Sequence, residues 1–329
     1  MGRNRRHRLA LVIGLASVLC IFFSPSWAAE EKYPSGQIDI ICGMVAGGPA
    51  DLLTRAVARG FEKYLSVTAV PGNKVGGGGI VATTTVANAK PDGRTLAVLA
   101  ETSVLTAIAL GRATYNLAEL RSVGQIALFP NVLAVRSDSE WKTFQQFLDS
   151  ARKNPGMKYA HPGIGSTIFL KMENMNKFGK MGMVGLPFKG DPEIVAALLG
   201  GHVPVGGSVM TNFKTHIDSG ELRVLASFDP PELLGLDPKI PVVENVFGKE
   251  LGDIDVPFSL VAPAKTPDSI MKVLEENLQK VIKDPEFVAT LQKIFLVPAF
   301  VDGKTVNEKN LPMKMEKIKQ ILSRIDMPK

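Results

Sequence analysis

Residues 37–64 read QIDIICGMVAGGPADLLTRAVARGFEKY, and three kinds of local structure follow one another in that stretch. Gln37 to Ile41 is a short apolar strand. Val45 to Ala50 is a loop of small residues and glycine. From Asp51 to Tyr64 the apolar positions 52, 53, 56, 57 and 61 recur at helical spacing. A strand that runs through a glycine loop into a helix is the first half of a βαβ unit, and the pattern repeats downstream. Strands are expected at Thr95 to Ala100, Asn131 to Val135, Lys158 to Ala160, Val203 to Val205, Leu222 to Ser227 and Phe258 to Ala262, with helical text between most of them. Such alternation predicts an α/β fold with crossover helices.

Helix starts are marked by their first turns. Thr143 precedes FQQFLDSARK, Asp191-Pro192-Glu193 precedes IVAALL, and Thr266-Pro267-Asp268 precedes SIMKVLEENLQKVI, the last two placing proline at the first helical position. Asn154-Pro155-Gly156 and Gly200-Gly201 read as stops.

The chain begins with a targeting signal. Arg3, Arg5, Arg6 and Arg8 precede an uncharged apolar run from Leu9 to Phe23, and Ser26-Trp27-Ala28 offers small residues for cleavage. The run is shorter than the roughly 20 residues a membrane span needs, so residues 1–28 read as a secretory signal peptide and the product as periplasmic. The sequence holds 38 basic and 32 acidic residues. Four of the basic ones lie in the signal, so the remainder carries only about +2 and shows no basic stripe of the kind nucleic acid requires. Only Cys42 follows the signal, which leaves no intramolecular disulfide to form, and stability must come from a core.

Three loops combine glycine or small hydroxyl residues with a following helix: residues 45–51, 73–79 and 163–167. Such loops bring bare N–H groups and the positive end of a helix to an anion, although glycine also serves plain tight turns. The phosphate-loop pattern is absent, and the glycine run lacks the acidic partner of a dinucleotide site. Ser208 lies in GGSVM, outside the nucleophile-elbow pattern. His161, His202 and His216 have no metal-ligand spacing and read as surface or packing histidines. No cofactor, metal or catalytic residue is expected.

The wording of these loops resembles the extracytoplasmic receptors of tripartite tricarboxylate transporters, the Bug-type family. Its opening pattern is met by Tyr33, Pro34, Ser35, Ile38, Ala46, Gly47, Gly48 and Asp51, and its glycine loop by Asn73, Gly76, Gly78 and Gly79. Pro91-Asp92-Gly93, Gly163-x-Gly165-Ser166, Pro187-Phe188-Lys189-Gly190 and Val261-Ala262-Pro263 follow in the family's order over nearly the whole chain after the signal. The resemblance implies a two-lobed Venus-flytrap binding protein in which the chain crosses twice between lobes. Lobe one would hold residues 30–130 and 259–329, and lobe two residues 131–258. It further implies a non-enzymatic, monomeric receptor that closes on a small carboxylate and hands it to a membrane permease. A sensory receptor of the same fold is an alternative, and a secreted hydrolase a remoter one for want of a nucleophile–base pair. The implied ligand contacts are Ala46, Gly47, Gly48 and Asp51, with Gly78, Thr102 and Ser103 from the first lobe, and Gly165, Ser166, Thr167, Lys189 and Ser208 from the second. Lys189 either reaches the ligand as a cation or only decorates its loop.

Departures from the family pattern are expected to matter. Pro49-Ala50 removes hydroxyls and one N–H, Phe169 replaces a histidine, and Ser208 replaces an acid. If these positions face the ligand, it is less polar than a tricarboxylate, such as a monocarboxylate; alternatively, Phe169 simply packs behind its helix.

Overall fold

The computed structural model describes residues 33–248, 251 and 254–325. The signal read at 1–28 lies outside the described residues. From Gly36 onward the chain forms one compact unit containing two lobes, each built on its own sheet.

The first sheet has the strand order β11-β4-β10-β3-β1-β2, and the second the order β7-β6-β8-β5-β9. In chain order the first lobe begins with β1 (Ile38–Cys42), helix α1 (Pro49–Leu65), β2 (Ala69–Asn73), α2 (Ile80–Ala87), β3 (Thr95–Ala100), α3 (Glu101–Ala109) and β4 (Leu120–Leu128). The chain then enters the second sheet through β5 (Asn131–Arg136), α4 (Phe144–Lys153), β6 (Lys158–His161), α5 (Thr167–Gly179), β7 (Val184–Pro187), α6 (Asp191–Leu199), β8 (Val205–Val209), α7 (Met210–Asp218) and β9 (Leu222–Ser227). It returns with β10 (Pro257–Pro263) and ends in α8 (Asp268–Lys283), α9 (Pro285–Lys293), β11 (Val297–Asp302) and α10 (Leu311–Arg324).

Strand direction decides where a ligand can bind. β1, β2 and β3 are parallel, so their carboxyl ends share one edge; β10 starts and β4 ends at that same edge. In the second sheet β6, β7 and β8 end together, where Asn131 of β5 pairs with Val209 and Val132 with Ser227. Both crossovers leave from these edges. They are locked side by side, because Phe129 N–H donates to Val256 O at 3.0 Å and the Phe129 and Phe258 rings stack with centroids 3.8 Å apart. The carboxyl edges of the two sheets therefore meet at the hinge, the place where open α/β sheets bind ligands.

Each lobe buries apolar faces of its helices against its sheet. In α1 the residues Leu53, Val57 and Phe61 are fully buried, as the 3.6-residue spacing predicts. Thr143 caps α4 in a reciprocal box with Gln146. The other two expected caps shift by one residue: Gly190 precedes α6, which puts Pro192 at its second position, and Pro267 precedes α8. The shift at α6 has a cause: the Asp191 carboxylate is turned to Ser208 and makes no cap.

The strand expected at Val203 to Val205 is displaced to Val205–Val209 and contains Gly206 and Gly207. These glycines read as breakers, yet both faces of β8 need them. A Cβ at Gly206 would meet Leu198 Cδ1 at 3.1 Å, and one at Gly207 would meet Ile168 Cγ1 at 2.7 Å and Cδ1 at 2.8 Å. Helices packed on opposite faces of the sheet press onto bare backbone. Gly207→Ala is thus expected to destabilise the protein by about 1–3 kcal/mol, read as the midpoint shift in urea unfolding. An unchanged midpoint would show that Ile168 moves aside freely.

The C-terminal helix ties the lobes. Ile318 and Ile321 of α10 share one buried cluster with Leu105 of α3, Ile254 of the returning crossover, and Phe169 and Leu170 of α5. Phe169 is fully buried there, packed behind its helix.

Candidate functional site

The loop between β1 and α1 is rigid because Asp51 organises it from within. The Asp51 carboxylate is 2 % exposed and accepts Gly47 N–H at 2.9 Å, Arg55 Nε–H at 2.9 Å and Asn73 Nδ2–H at 2.9 Å. Asn73 also donates to Met44 O at 3.0 Å, which staples the first loop to the end of β2. Burial pushes the Asp51 carboxyl up, but the bonds from Arg55, Gly47 and Asn73 together outweigh it and hold it below its usual range. Two expectations change as a result. Asp51 serves as an internal anchor of its loop, and the Gly47 N–H is already engaged. Gly48 N–H makes a long 3.4 Å contact to Val45 O, while Ala46 and Gly47 are exposed at the tip.

The glycine run behaves as its composition demands. Gly76, Gly77, Gly78 and Gly79 all have positive φ, a path that four successive residues with side chains would follow only under strain, and it delivers the chain into α2. Gly78 and Gly79 line a shallow depression, open to solvent, together with Met44, Ser103, Tyr115 and Phe258. The backbone of Ser103 lies in the first turn of α3. Burial pushes the Tyr115 phenol up to about 12, so it stays a neutral donor, bonded to Val104 O at 3.2 Å. Thr102 differs from expectation: it is fully buried and its hydroxyl donates to Asp255 O at 3.1 Å. It fastens the returning crossover and does not line the cleft.

In the second lobe the loop 163–166 is set by His161. Its Nδ1 accepts Gly163 N–H at 3.2 Å, and burial lowers its pKa to about 4, so the ring is a neutral acceptor at ordinary pH. Ser166 then caps α5. Its hydroxyl donates to Gly163 O at 2.8 Å and accepts Phe169 N–H at 3.2 Å, which occupies the side chain and leaves the N–H groups of Thr167 and Ile168 without partners inside the helix. The Thr167 side chain is buried. A side chain at Gly165 would touch Thr106 and Leu110 at 3.5 Å, so this loop lies against α3 of the first lobe. The second lobe thus approaches the first through one of the loops the sequence singled out.

Lys189 is exposed, and among the described residues only its backbone N–H is engaged, donating to Glu193 Oε2 at 2.9 Å. Ser208 is fully buried, donates to Asp191 Oδ1 at 2.6 Å and accepts from Asn212 at 3.2 Å. The loss of polarity expected at 208 therefore does not occur, because Asp191, 17 residues earlier, brings a carboxylate to the same spot.

Helix ends distinguish the sub-sites electrostatically. The N-termini of α1, α2, α3, α5, α6 and α7 all follow strand carboxyl ends or the loops leaving them. α1, α3 and α6 carry acids in their first turns, namely Asp51, Glu101, and Asp191 with Glu193. α2, α5 and α7 carry none. The ends of α2, from the first lobe, and α5, from the second, are consequently places where a carboxylate is favoured, whereas the end of α7 already has the Asp191 carboxylate brought to it through Ser208 and Asn212. Among the described residues no group of His, Cys, Asp and Glu could hold a metal ion.

Sequence reading missed His161 and Asp191 as site-builders. A histidine two residues before a Gly-x-Gly loop, and an acid after Lys-Gly, were the available signals.

The profile described as "Tripartite tricarboxylate transporter family receptor" matches residues 53–327. A Cupriavidus necator protein named "UPF0065 protein in gbd 5'region" is 28 % identical over 314 residues, covering 92 % of both chains. The structure of the periplasmic binding protein BugD superposes with a TM-score of 0.77 at 22 % identity, over 88 % of this chain and 98 % of that one. MatC from Rhodopseudomonas palustris with bound malate gives 0.76 at 20 % identity, over 88 % of this chain and all of that one.

Proposed function

The chain belongs to the tripartite tricarboxylate transporter family of receptors, a family of solute-binding proteins, and from that premise we propose that it captures a small carboxylate in the periplasm and delivers it to a membrane permease. Residues 30–130 with 259–329 form one jaw and 131–258 the other, a division that the membership of the two sheets supports. The chain acts as a monomer and makes or breaks no bond in its solute.

One observation carries the reading: two helix N-termini without compensating acids, α2 in one lobe and α5 in the other, stand at the facing carboxyl edges of their sheets. Each supplies orphan N–H groups to an anion. The Gly78 and Ser103 side of the depression, and Gly165 to Thr167 opposite, are the contacts. The bound malate of the R. palustris structure is an anion of the class this arrangement suits.

Closure follows from the division of contacts. A carboxylate that touches α2 alone gains half of its bonds, and it gains the rest only when the α5 loop swings against it, so ligand favours the shut form by its differential affinity. The permease reads that shut form.

Thermal melting of residues 30–329 with mono-, di- and tricarboxylates, amino acids and sugars tests this. An acid at about 100 times its Kd is expected to add about 2.7 kcal/mol, a rise of several degrees, while sugars add nothing. Absence of any rise with acids, in protein shown by mass spectrometry to be free of ligand, overturns the reading.

A further inference from the structure

We propose that Asp191 sets the class of ligand: an acid whose far end carries a hydrogen-bond donor, a hydroxyl or an ammonium, in place of a second carboxylate. The inference rests on the carboxylate-binding reading of the cleft and specifies what the other end of the solute meets.

Asp191 is the first residue of α6, yet it does no capping work. Gly190 holds the cap position, and no side chain caps this helix. The carboxylate instead accepts the Ser208 hydroxyl at 2.6 Å, and Ser208 in turn accepts Asn212 Nδ2–H at 3.2 Å. Polarity runs one way along this chain, from Asn212 through Ser208 to Asp191. A serine hydroxyl has a single proton, so Ser208 spends it on Asp191 and has none for a ligand. What the network presents is an acceptor with lone pairs to spare.

Its location is the binding edge. Asp191 follows β7, Ser208 sits in β8 one residue from its end, and Asn212 is in the first turn of α7, all at the edge from which the loop 163–166 also springs. No ion pair to Asp191 exists among the described residues, and the exposed Lys189 two positions earlier makes none. Burial raises the Asp191 carboxyl above its usual range, and the hydrogen bonds from Ser208 and Asn212 only partly oppose that shift.

The sub-sites therefore differ in sign. The ends of α2 and α5 favour a carboxylate. The end of α6, with Asp191 and Glu193 in its first turn, repels one and welcomes a donor. A symmetrical diacid would place one like charge against Asp191; a hydroxy or amino acid would complete its hydrogen bonding.

Titration calorimetry on residues 30–329 decides the matter with matched sets of three to six carbons: plain acid, terminal hydroxy acid, terminal amino acid and diacid. In the wild type the best donor-bearing acid is expected to bind at least ten-fold more tightly than both the plain acid and the diacid of its length, and whichever of the two donors wins identifies the source. In Asp191→Asn the diacid is expected to gain at least ten-fold and the amino acid to lose at least ten-fold. A wild-type protein that holds a diacid as tightly as the matching donor-bearing acid overturns the inference and leaves the carboxylate reading intact, whether or not the variant folds. Failure of every acid to bind brings down the carboxylate reading itself.

Discussion

Replacing Lys314 by methionine is expected to destabilise the protein by about 3–5 kcal/mol, the cost of leaving a buried charge without its partner. Lys314 lies on α10 with its side chain 6 % exposed. Its ammonium sits 2.6 Å from Glu101 Oε2, whose side chain is 3 % exposed, and 3.4 Å from Asp255 Oδ1. Glu101 begins α3, and its other oxygen accepts the Ser259 hydroxyl from β10. Asp255 belongs to the returning crossover, whose backbone is also fastened by Thr102. One ammonium thus joins the C-terminal helix, the helix that faces the cleft and the hinge strand.

The cause of the loss can be separated from lost packing. Methionine conserves the aliphatic length of lysine, so the apolar contacts survive while Glu101 is stranded. Lys314→Met combined with Glu101→Gln removes both charges and is expected to recover most of the stability, since neutral replacement of a buried pair is often nearly neutral. Urea unfolding of the wild type, the single and the double variant measures the coupling. A single variant that loses less than about 1 kcal/mol would show that water reaches Glu101 and that the hinge does not depend on the pair.

How far the sequence reached depended on whether the deciding contact was local. β3 at Thr95–Ala100 and β9 at Leu222–Ser227 were legible to the residue, because each is an apolar run bounded by turn signals and buried. β2, with the sequence AVPGN, was not, because Pro71-Gly72 reads as a turn. It pairs only with β1, at the sheet edge, where the missing proline N–H costs no ladder bond. β11, which contains Pro298 and lies at the opposite edge, escaped for the same reason.

The candidate site divides the same way. Glycine loops announce positive φ whatever surrounds them, so the segments 76–79 and 163–165 were readable. The direction of a polar side chain is not local. Asp51 looked like a ligand contact until Asn73, 22 residues away, claimed it, and Ser208 looked like a lost acid until Asp191 restored one. Phe169 depended on still more distant text, since its neighbours include residues 306–325 of the C-terminal segment.

The loop that faces the cleft from the second lobe should also make the protein acid-sensitive. His161 is 1 % exposed, and its pKa is lowered to about 4, first by burial, although the Gly163 bond opposes the shift. In the unfolded chain the same imidazole titrates near 6.5. Between these values the unfolded state holds more protons than the folded one, so stability rises with pH across that window. The contribution is complete above about 6.5, falls as pH drops towards 4, and changes no further below that. Full loss amounts to about 3 kcal/mol, since each unit of difference is worth about 1.4 kcal/mol. Protonation also turns Nδ1 from an acceptor into a donor facing the Gly163 N–H, which releases the loop that presents Gly165 and Ser166. His161→Asn isolates the effect, because the amide oxygen can stand where Nδ1 stood without titrating. Urea unfolding at pH 7.5 and 4.5 is expected to show a drop larger by about 2–3 kcal/mol in the wild type than in the variant, the carboxylates contributing equally to both. Equal drops in the two proteins would mean that water or a backbone shift accommodates the imidazolium, and that the loop 163–166 does not depend on a neutral His161.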